Sequence, residues 1–300
     1  MELPLDVWTQ CGQRESVAKA TRGCRSWHIP RPISWVPVTD DLALALELAD
    51  VADGISMERF RAHDLKIDAK PDLSPVTEAD RAIETYARDR IGAAHPDHAI
   101  IGEEFGVVGD RDATWRWVID PIDGTRSFVR GNETWATLIA LQRDGESVVG
   151  VASAPAMRLR FHATLGGGAF LNGRRIHVSK ISDISEALIT HTAIRGFVIT
   201  KQAERLVALA GRCWDARGVG NSMSHLAVAR GTADIGWTSR ANLWDYAALK
   251  LVVTEAGGRF TDRSGDDPVL GGTGISSNGL LHDLVLEAAG YPTPARGTTQ

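Results

Sequence analysis

Hydrophobic and polar positions change period several times along this chain, and each change predicts an element. From Asp41 onward, Leu42, Ala45, Leu48, Ala49, Ala52 and Ile55 recur at helical spacing behind a capping aspartate. Leu65-Lys66-Ile67-Asp68 alternates like a short strand, which Lys70-Pro71-Asp72 breaks. A second helix starts near Thr77, with Asp80 one turn in, close to the positive end of the helix dipole. Ala99-Ile100-Ile101 and Trp117-Val118-Ile119 are apolar runs that read as buried strands, and both end in acids. Ala136–Leu141 and Val148–Ala154 flank Arg143-Asp144-Gly145 and predict a hairpin. Gly166–Gly173 and Ile176–Ser179 extend that antiparallel, strand-rich region.

After about Asp183 the pattern becomes α/β. Helical segments at Gln202–Ala210 and Ser222–Ala229 alternate with short strands such as Ala233–Trp237. Leu243-Trp244-Asp245-Tyr246 opens a helix that runs to the stop signal Gly257-Gly258. Ser276-Ser277-Asn278-Gly279 makes a turn before a last helix. The expected organisation is an irregular N-terminal extension over 1–40, an α+β half over 41–182, an α/β half over 183–291 and a loose tail over 292–300. With no repeat or linker between them, the halves are expected to pack together.

Composition narrows the functional classes. Of 300 residues, 43% are hydrophobic, ample for a substantial core. The 33 basic and 38 acidic residues leave a net charge of −5 without a basic run, which argues against nucleic acid or an anionic membrane as partner. No apolar run approaches the roughly twenty residues of a membrane span. Met1 to Asp40 lacks the basic start and apolar core of a signal peptide. Cys11, Cys24 and Cys213 are scattered, without zinc or disulfide spacing. A cytoplasmic enzyme is the expectation.

The chemistry centres on Asp120-Pro121-Ile122-Asp123-Gly124-Thr125. Two aspartates three positions apart at a buried strand end repel each other unless a cation lies between them. Pro121 fixes φ and donates no hydrogen bond, so the bend can turn the Ile122 carbonyl toward the same ion. Gly124 allows close backbone approach, and the Gly124 and Thr125 amides can face phosphate oxygens if a helix starts here. The plainer alternative is an Asp-Gly turn with one capping aspartate, but a turn needs only one carboxylate. Phosphatases that form a phospho-aspartate place a single residue between their aspartates. The two residues here move the second carboxylate to a different face, which favours two metal ligands over a nucleophile and an acid.

Three further acidic positions have a bland and a chemical reading each. Asp80 forms a capping box with Thr77, or joins the site. Glu103 and Glu104 are a solvated strand end, or ligands. Asp245 caps its helix, or is the final ligand. Considered alone, each is better explained structurally; beside the Asp120 turn, a shared divalent-metal cluster better accounts for Glu103, Glu104 and Asp245.

Gly102-Glu103-Glu104, Asp120-Pro121-Ile122-Asp123-Gly124-Thr125, and Trp244-Asp245 leading a helix that ends Glu255-Ala256-Gly257-Gly258 resemble the inositol monophosphatase superfamily over roughly 41–290. Lys70-Pro71-Asp72, Gly102-Glu103-Glu104-Phe105-Gly106, Phe128-Val129-Arg130-Gly131 and Ser153-Ala154-Pro155-Ala156 are most similar to its actinobacterial histidinol-phosphate phosphatase branch. The resemblance implies a layered αβαβα sandwich and a Mg²⁺-dependent phosphate monoesterase, commonly a homodimer and sensitive to lithium. It implies that Glu103, Asp120 and the Ile122 carbonyl bind one magnesium, and that Asp120, Asp123 and Asp245 bind a second. Glu103 would help hold a third through water. It further implies that Asp80 and Thr125 orient the attacking water and that the Gly124 and Thr125 amides hold phosphate. Asp245 would also contact substrate.

The chain departs from that pattern around the substrate. Thr238 stands where the family usually places an acid six residues before the Trp-Asp pair, Asn221 stands where related enzymes often carry an acid, and Ser127 replaces a frequent Asn. Losing two acids removes pairing to a cationic aminoalcohol. Histidinol phosphate is therefore weighed against inositol 1-phosphate or another small sugar or cyclitol phosphate. Arg240 and Asn242 would suit an anionic or hydroxylated group, or lie on the surface. A 3′-phosphoadenosine compound lacks an obvious basic adenylate pocket, and a non-catalytic relative would be expected to have lost a ligand.

Overall fold

The hairpin around Arg143-Asp144-Gly145 forms the middle of an eight-stranded sheet. Ala136–Arg143 pairs antiparallel with Glu146–Ala154, and the turn closes because Asp144 and Gly145 both take positive φ, 50° and 87°. The computed structural model describes residues 39–71, 73–220, 222–267 and 272–291. On one side the sheet continues through Leu159–Thr164, Gly168–Leu171 and Arg174–Arg175; on the other it continues through Trp115–Asp123, Ala99–Gly102 and Gly106–Val108. One pairing is parallel, Ala99–Gly102 with Trp115–Asp123, and it sets Gly102 opposite Ile119. Parallel strands end at the same edge, so the acids after Gly102 emerge beside Asp120.

A second sheet has five strands in the order Asp215–Gly218, Leu188–His191, Ile235–Ala241, Gly272–Ser277 and Arg259–Thr261. Leu188–His191 runs parallel to both its neighbours, and Gly272–Ser277 runs antiparallel to both of its own.

Helices separate and cover the two sheets. Thr39–Arg59 and Glu78–Ala94 lie on the outer face of the larger sheet, burying Leu48 and Ile91 against Trp117 and Val149. The opposite face of that sheet buries Leu138, Ala152 and Phe161 against Leu249 and Val252 of the Leu243–Glu255 helix and Leu226 of the Met223–Ala229 helix. Each large aliphatic side chain fully buried there contributes about 1.5–3 kcal/mol. The fit is tight: a Cβ on Gly150 would come within 2.9 Å of the Ala248 carbonyl oxygen. Beyond the second sheet, Phe197, Leu209 and Val285 of the outer helices pack on Ile235, Trp237 and Ile275. The order is helix, sheet, helix, sheet, helix, the αβαβα sandwich expected from the resemblance.

Several boundaries differ from the sequence reading. The first helix begins at Thr39, so Thr39 and Asp40 belong to it rather than to an irregular extension. Residues 1–38 and the tail 292–300 lie outside the described residues. Ile176–Ser179 forms no strand; Ile176 and Val178 pack on the core from a loop, where the Val178 N–H donates to the Ala256 carbonyl. The Leu159–Thr164 strand was missed, although Leu-Arg-Phe-His-Ala-Thr has the alternation of one. Among the described residues no helix is long and apolar enough to cross a membrane.

Candidate active site

Residues i and i+3 on a regular strand point to opposite faces. Asp120 and Asp123 escape that rule because the strand bulges between them. Asp120 pairs with Leu138 and Asp123 with Ala136, so three steps on one strand face two on its partner. Proline is tolerated at such a position because no ladder hydrogen bond is needed from it, and the Thr137 hydroxyl donates to the Pro121 carbonyl at 2.7 Å. The bulge therefore overrides the sequence argument that this spacing sends the second carboxylate to a different face.

Asp245 completes the group from the first turn of the Leu243–Glu255 helix, where it accepts the Asn242 N–H at 2.5 Å. Asp123 accepts the Ser222 N–H at 2.6 Å. Carboxylate oxygens from Asp120, Asp123 and Asp245 all lie within 4.8 Å of one another. Asp120 is 1% exposed, and its Oδ1 has no hydrogen-bond partner among the described residues. Burial, then the charges of Glu103, Asp123 and Asp245, hold Asp120 well above the usual carboxylate range. Burial pushes Asp245 up to about 8, with Asp123 adding to it. Asp123 rises to about 6, again through burial, against the hydrogen bonding of Ser222. Three carboxylates this close disfavour ionising together unless a cation offsets their charge. The set fits a hard divalent ion such as magnesium.

Glu103 follows the neighbouring parallel strand, and its N–H donates to the Ile119 carbonyl at 3.2 Å. It is not one of the three acids within 4.8 Å. Its carboxylate faces them closely enough for its charge to raise Asp120, Asp123 and Asp245. Lys70 Nζ donates to Glu103 at 2.7 Å and to Glu104 at 2.6 Å. Burial pushes Glu104 up to about 7 against the pull of Lys70.

Asp80 is both cap and neighbour of the site. Its Oδ2 accepts the Thr77 N–H at 2.8 Å and the Thr77 hydroxyl at 2.6 Å, while Thr77 Oγ1 accepts the Asp80 N–H. Its other oxygen lies 3.4 Å from the Thr125 hydroxyl, which also donates to the Ile122 carbonyl at 3.1 Å. Burial lifts Asp80 to about 6 despite the Thr77 hydrogen bonds. Gly124 takes φ 93°, left-handed and open to glycine, and turns the strand into the Thr125–Val129 helix.

A cleft of about 870 Å³ opens from this point, bounded by Glu103, Gly124, Thr125, Arg126, Met157 and Val219. A cavity of about 290 Å³ adjoins it, with Arg126 on both walls, and holds Asp123, Asp245, Thr238 and Arg240. Thr238 is already engaged: its hydroxyl is 2.8 Å from His225 Nε2, and His225 Nδ1 is 2.8 Å from Ser276 Oγ. Burial pushes His225 down to about 3, so the ring is neutral near pH 7. Arg126 and Arg240 form no ion pair among the described residues. Ser127 Oγ lies 3.2 Å from Thr134 Oγ1. Asn221 lies outside the described residues. The sequence reading did not single out Lys70, the Ser222 amide or Arg126 as individual groups; the first two meet the site from loops distant in sequence.

Residues 38–290 match the sequence profile of the inositol monophosphatase family. The chain belongs to that family. Within it, the chain is 46% identical over 253 residues to a histidinol-phosphatase of Mycobacterium tuberculosis, covering 82% of this chain and 96% of the relative. It is 42% identical over 256 residues to a histidinol-phosphatase of Streptomyces coelicolor, covering 82% and 96%. An inositol monophosphatase structure from Thermotoga maritima superposes with a TM-score of 0.76 at 32% identity, covering 84% of this chain and 97% of that one. As a member of the inositol monophosphatase family with the acidic cluster in place, the chain is a phosphoric monoester hydrolase.

Proposed function

We propose that the chain is a magnesium-dependent phosphatase of small phosphate monoesters, with L-histidinol phosphate as its first substrate. The observation that carries the metal reading is the convergence of Asp120, Asp123 and Asp245 within 4.8 Å, with an Asp120 oxygen that has no hydrogen-bond partner among the described residues. Glu103, Asp120 and the Ile122 carbonyl would hold one Mg²⁺; Asp120, Asp123 and Asp245 would hold a second, and Glu103 would help with a third. Bound magnesium would supply positive charge for the phosphoryl group and make water acidic enough to attack. Asp80 is ionised above about pH 6, and it takes the proton that the attacking water loses, relayed by the Thr125 hydroxyl. The Gly124 and Thr125 amides would receive the phosphate. The two histidinol-phosphatase relatives support the substrate. A homodimer in the cytoplasm is proposed from the family resemblance and the scattered cysteines.

One observation favours a second reading, a sugar or cyclitol phosphate such as inositol 1-phosphate. The cavity beside Asp245 presents a neutral threonine already bonded to a neutral histidine, and Arg240 stands nearby. Purified protein with Mg²⁺, assayed for phosphate release from histidinol phosphate, inositol 1-phosphate and a panel of sugar and nucleotide phosphates, separates the two. Release that depends on Mg²⁺ and stops with EDTA is expected. No release from any ester would overturn the enzymatic reading.

A further inference from the structure

Glu84 lies in the Glu78–Ala94 helix, wholly buried, beneath the turn that carries Glu103. Its Oε2 accepts the Glu104 N–H at 2.7 Å and its Oε1 accepts the Phe105 N–H at 3.1 Å. Arg88, one turn on, donates to Oε1 from Nε at 2.8 Å and from Nη2 at 2.7 Å, and Nη2 also reaches the Gly106 carbonyl at 2.6 Å. The connection from Ala99–Gly102 to Gly106–Val108 is three residues long, and it is wrapped around this one carboxylate. Gly102 makes room for it: a Cβ there would fall 1.9 Å from Glu84 Oε1 and 2.3 Å from its Cδ.

We propose that Glu84 is a positioning residue of the metal site, fixing through the 102–106 turn where the Glu103 carboxylate points. The role rests on the metal-site reading above. A three-residue turn has few internal constraints, and Glu103 must hold its direction while facing other acids that repel it. Lys70 holds the Glu103 carboxylate from one side, and two amide hydrogen bonds to a buried carboxylate, itself pinned by Arg88, restrain the backbone of the turn from the other. A charged acceptor makes such bonds stronger than neutral ones. Among the described residues Glu84 bonds to none of the three aspartates and does not line the cleft; it acts on Glu103 through the Glu104 and Phe105 amides of the turn.

The test is calorimetric titration of Mn²⁺ into the full chain, comparing wild type with Glu84→Gln and Gly102→Ala. The first substitution keeps the shape of the side chain but turns one acceptor into a donor facing an N–H. The second keeps the Glu84 charge but displaces it with a methyl group. Arg88→Gln is the third variant, should either of the first two fail to fold. Mn²⁺ affinity is expected to fall by about tenfold or more, the scale seen when partners of metal ligands are removed. Disturbing the buried Glu84–Arg88 pair should lower the melting temperature of the metal-free protein, so affinities are compared at a temperature where every variant is folded, and amide exchange at residues 103–105 should accelerate there. Wild-type affinity in the folded variants overturns the role of Glu84 alone. Wild-type protein that binds no Mn²⁺ overturns the metal site, and this role with it. Failure of all three variants to fold makes Glu84 a structural residue and ends the proposal.

Discussion

The Thr125 hydroxyl lies 3.4 Å from Asp80 Oδ1, joining the first turns of two helices 45 residues apart. Thr77 holds the other side of the same carboxylate. Thr125→Ala and Asp80→Asn are therefore expected to lower kcat by about two to three orders of magnitude, the scale of lost general acid–base catalysis, while the Mg²⁺ requirement stays near wild type. Steady-state kinetics across a Mg²⁺ series checks this. Thr77→Val removes a hydroxyl that lowers the Asp80 pKa, so the acid limb of its pH–rate profile should move to higher pH. The variant should also lose about 1 kcal/mol of stability with the cap.

Asp120→Asn and Asp245→Asn should abolish Mg²⁺-dependent turnover yet leave the metal-free protein as stable as wild type or more so. Each replaces an acid whose ionised form burial and like charge already disfavour with a neutral side chain of the same shape. A combination of phosphate-release assay and thermal melting without metal decides it; a collapsed fold in both variants would contradict this.

The same repulsion sets a pH dependence for the metal-free protein. A carboxyl with a raised folded-state pKa is protonated more readily when folded than when unfolded, so stability declines as pH rises from its unfolded value through its folded one. Asp245, raised to about 8, places that decline across neutral pH, and the raised Asp120 adds to it in the same direction. His225 and His282, lowered to about 3 and about 4, cost stability only as pH falls below about 6.5. Metal-free protein should then melt several degrees lower at about pH 8.5 than at about pH 6.5, and Mg²⁺ should stabilise it most at the higher pH. Melting curves at the two pH values, with and without Mg²⁺, test the sign.

Substrate preference should move with charge beside the site. Thr238→Glu combined with Arg240→Glu is expected to raise kcat/KM for histidinol phosphate relative to inositol 1-phosphate by about tenfold, through pairing with the amine. An unchanged ratio would show that this cavity does not receive the alcohol portion of the ester.

What could be read from the sequence was local. The capped helix at Thr77, the hairpin at Asp144-Gly145 and the acid-bearing end of the Trp117 strand are each written in a few neighbouring residues, so propensity and period suffice. The joint meaning of Asp80, Glu103 and Asp245 came from the resemblance to a family, because no local pattern distinguishes a cap from a ligand. The bulge at Pro121-Ile122 was not legible, since it depends on how Ala136–Arg143 pairs across the turn. Glu84 was missed for a similar reason. On its helix it looks like the acidic member of an i, i+4 pair with Arg88, and only the fold places a turn from another strand on top of it.

The helix wedged between the two sheets carries Asp245 at its leading turn. During synthesis the aspartates of the bulge leave the ribosome more than a hundred residues before this third acid. A nascent chain therefore has a half-built cluster, and hydrolytic competence should switch on abruptly when the segment around Asp245 docks, rather than growing with length.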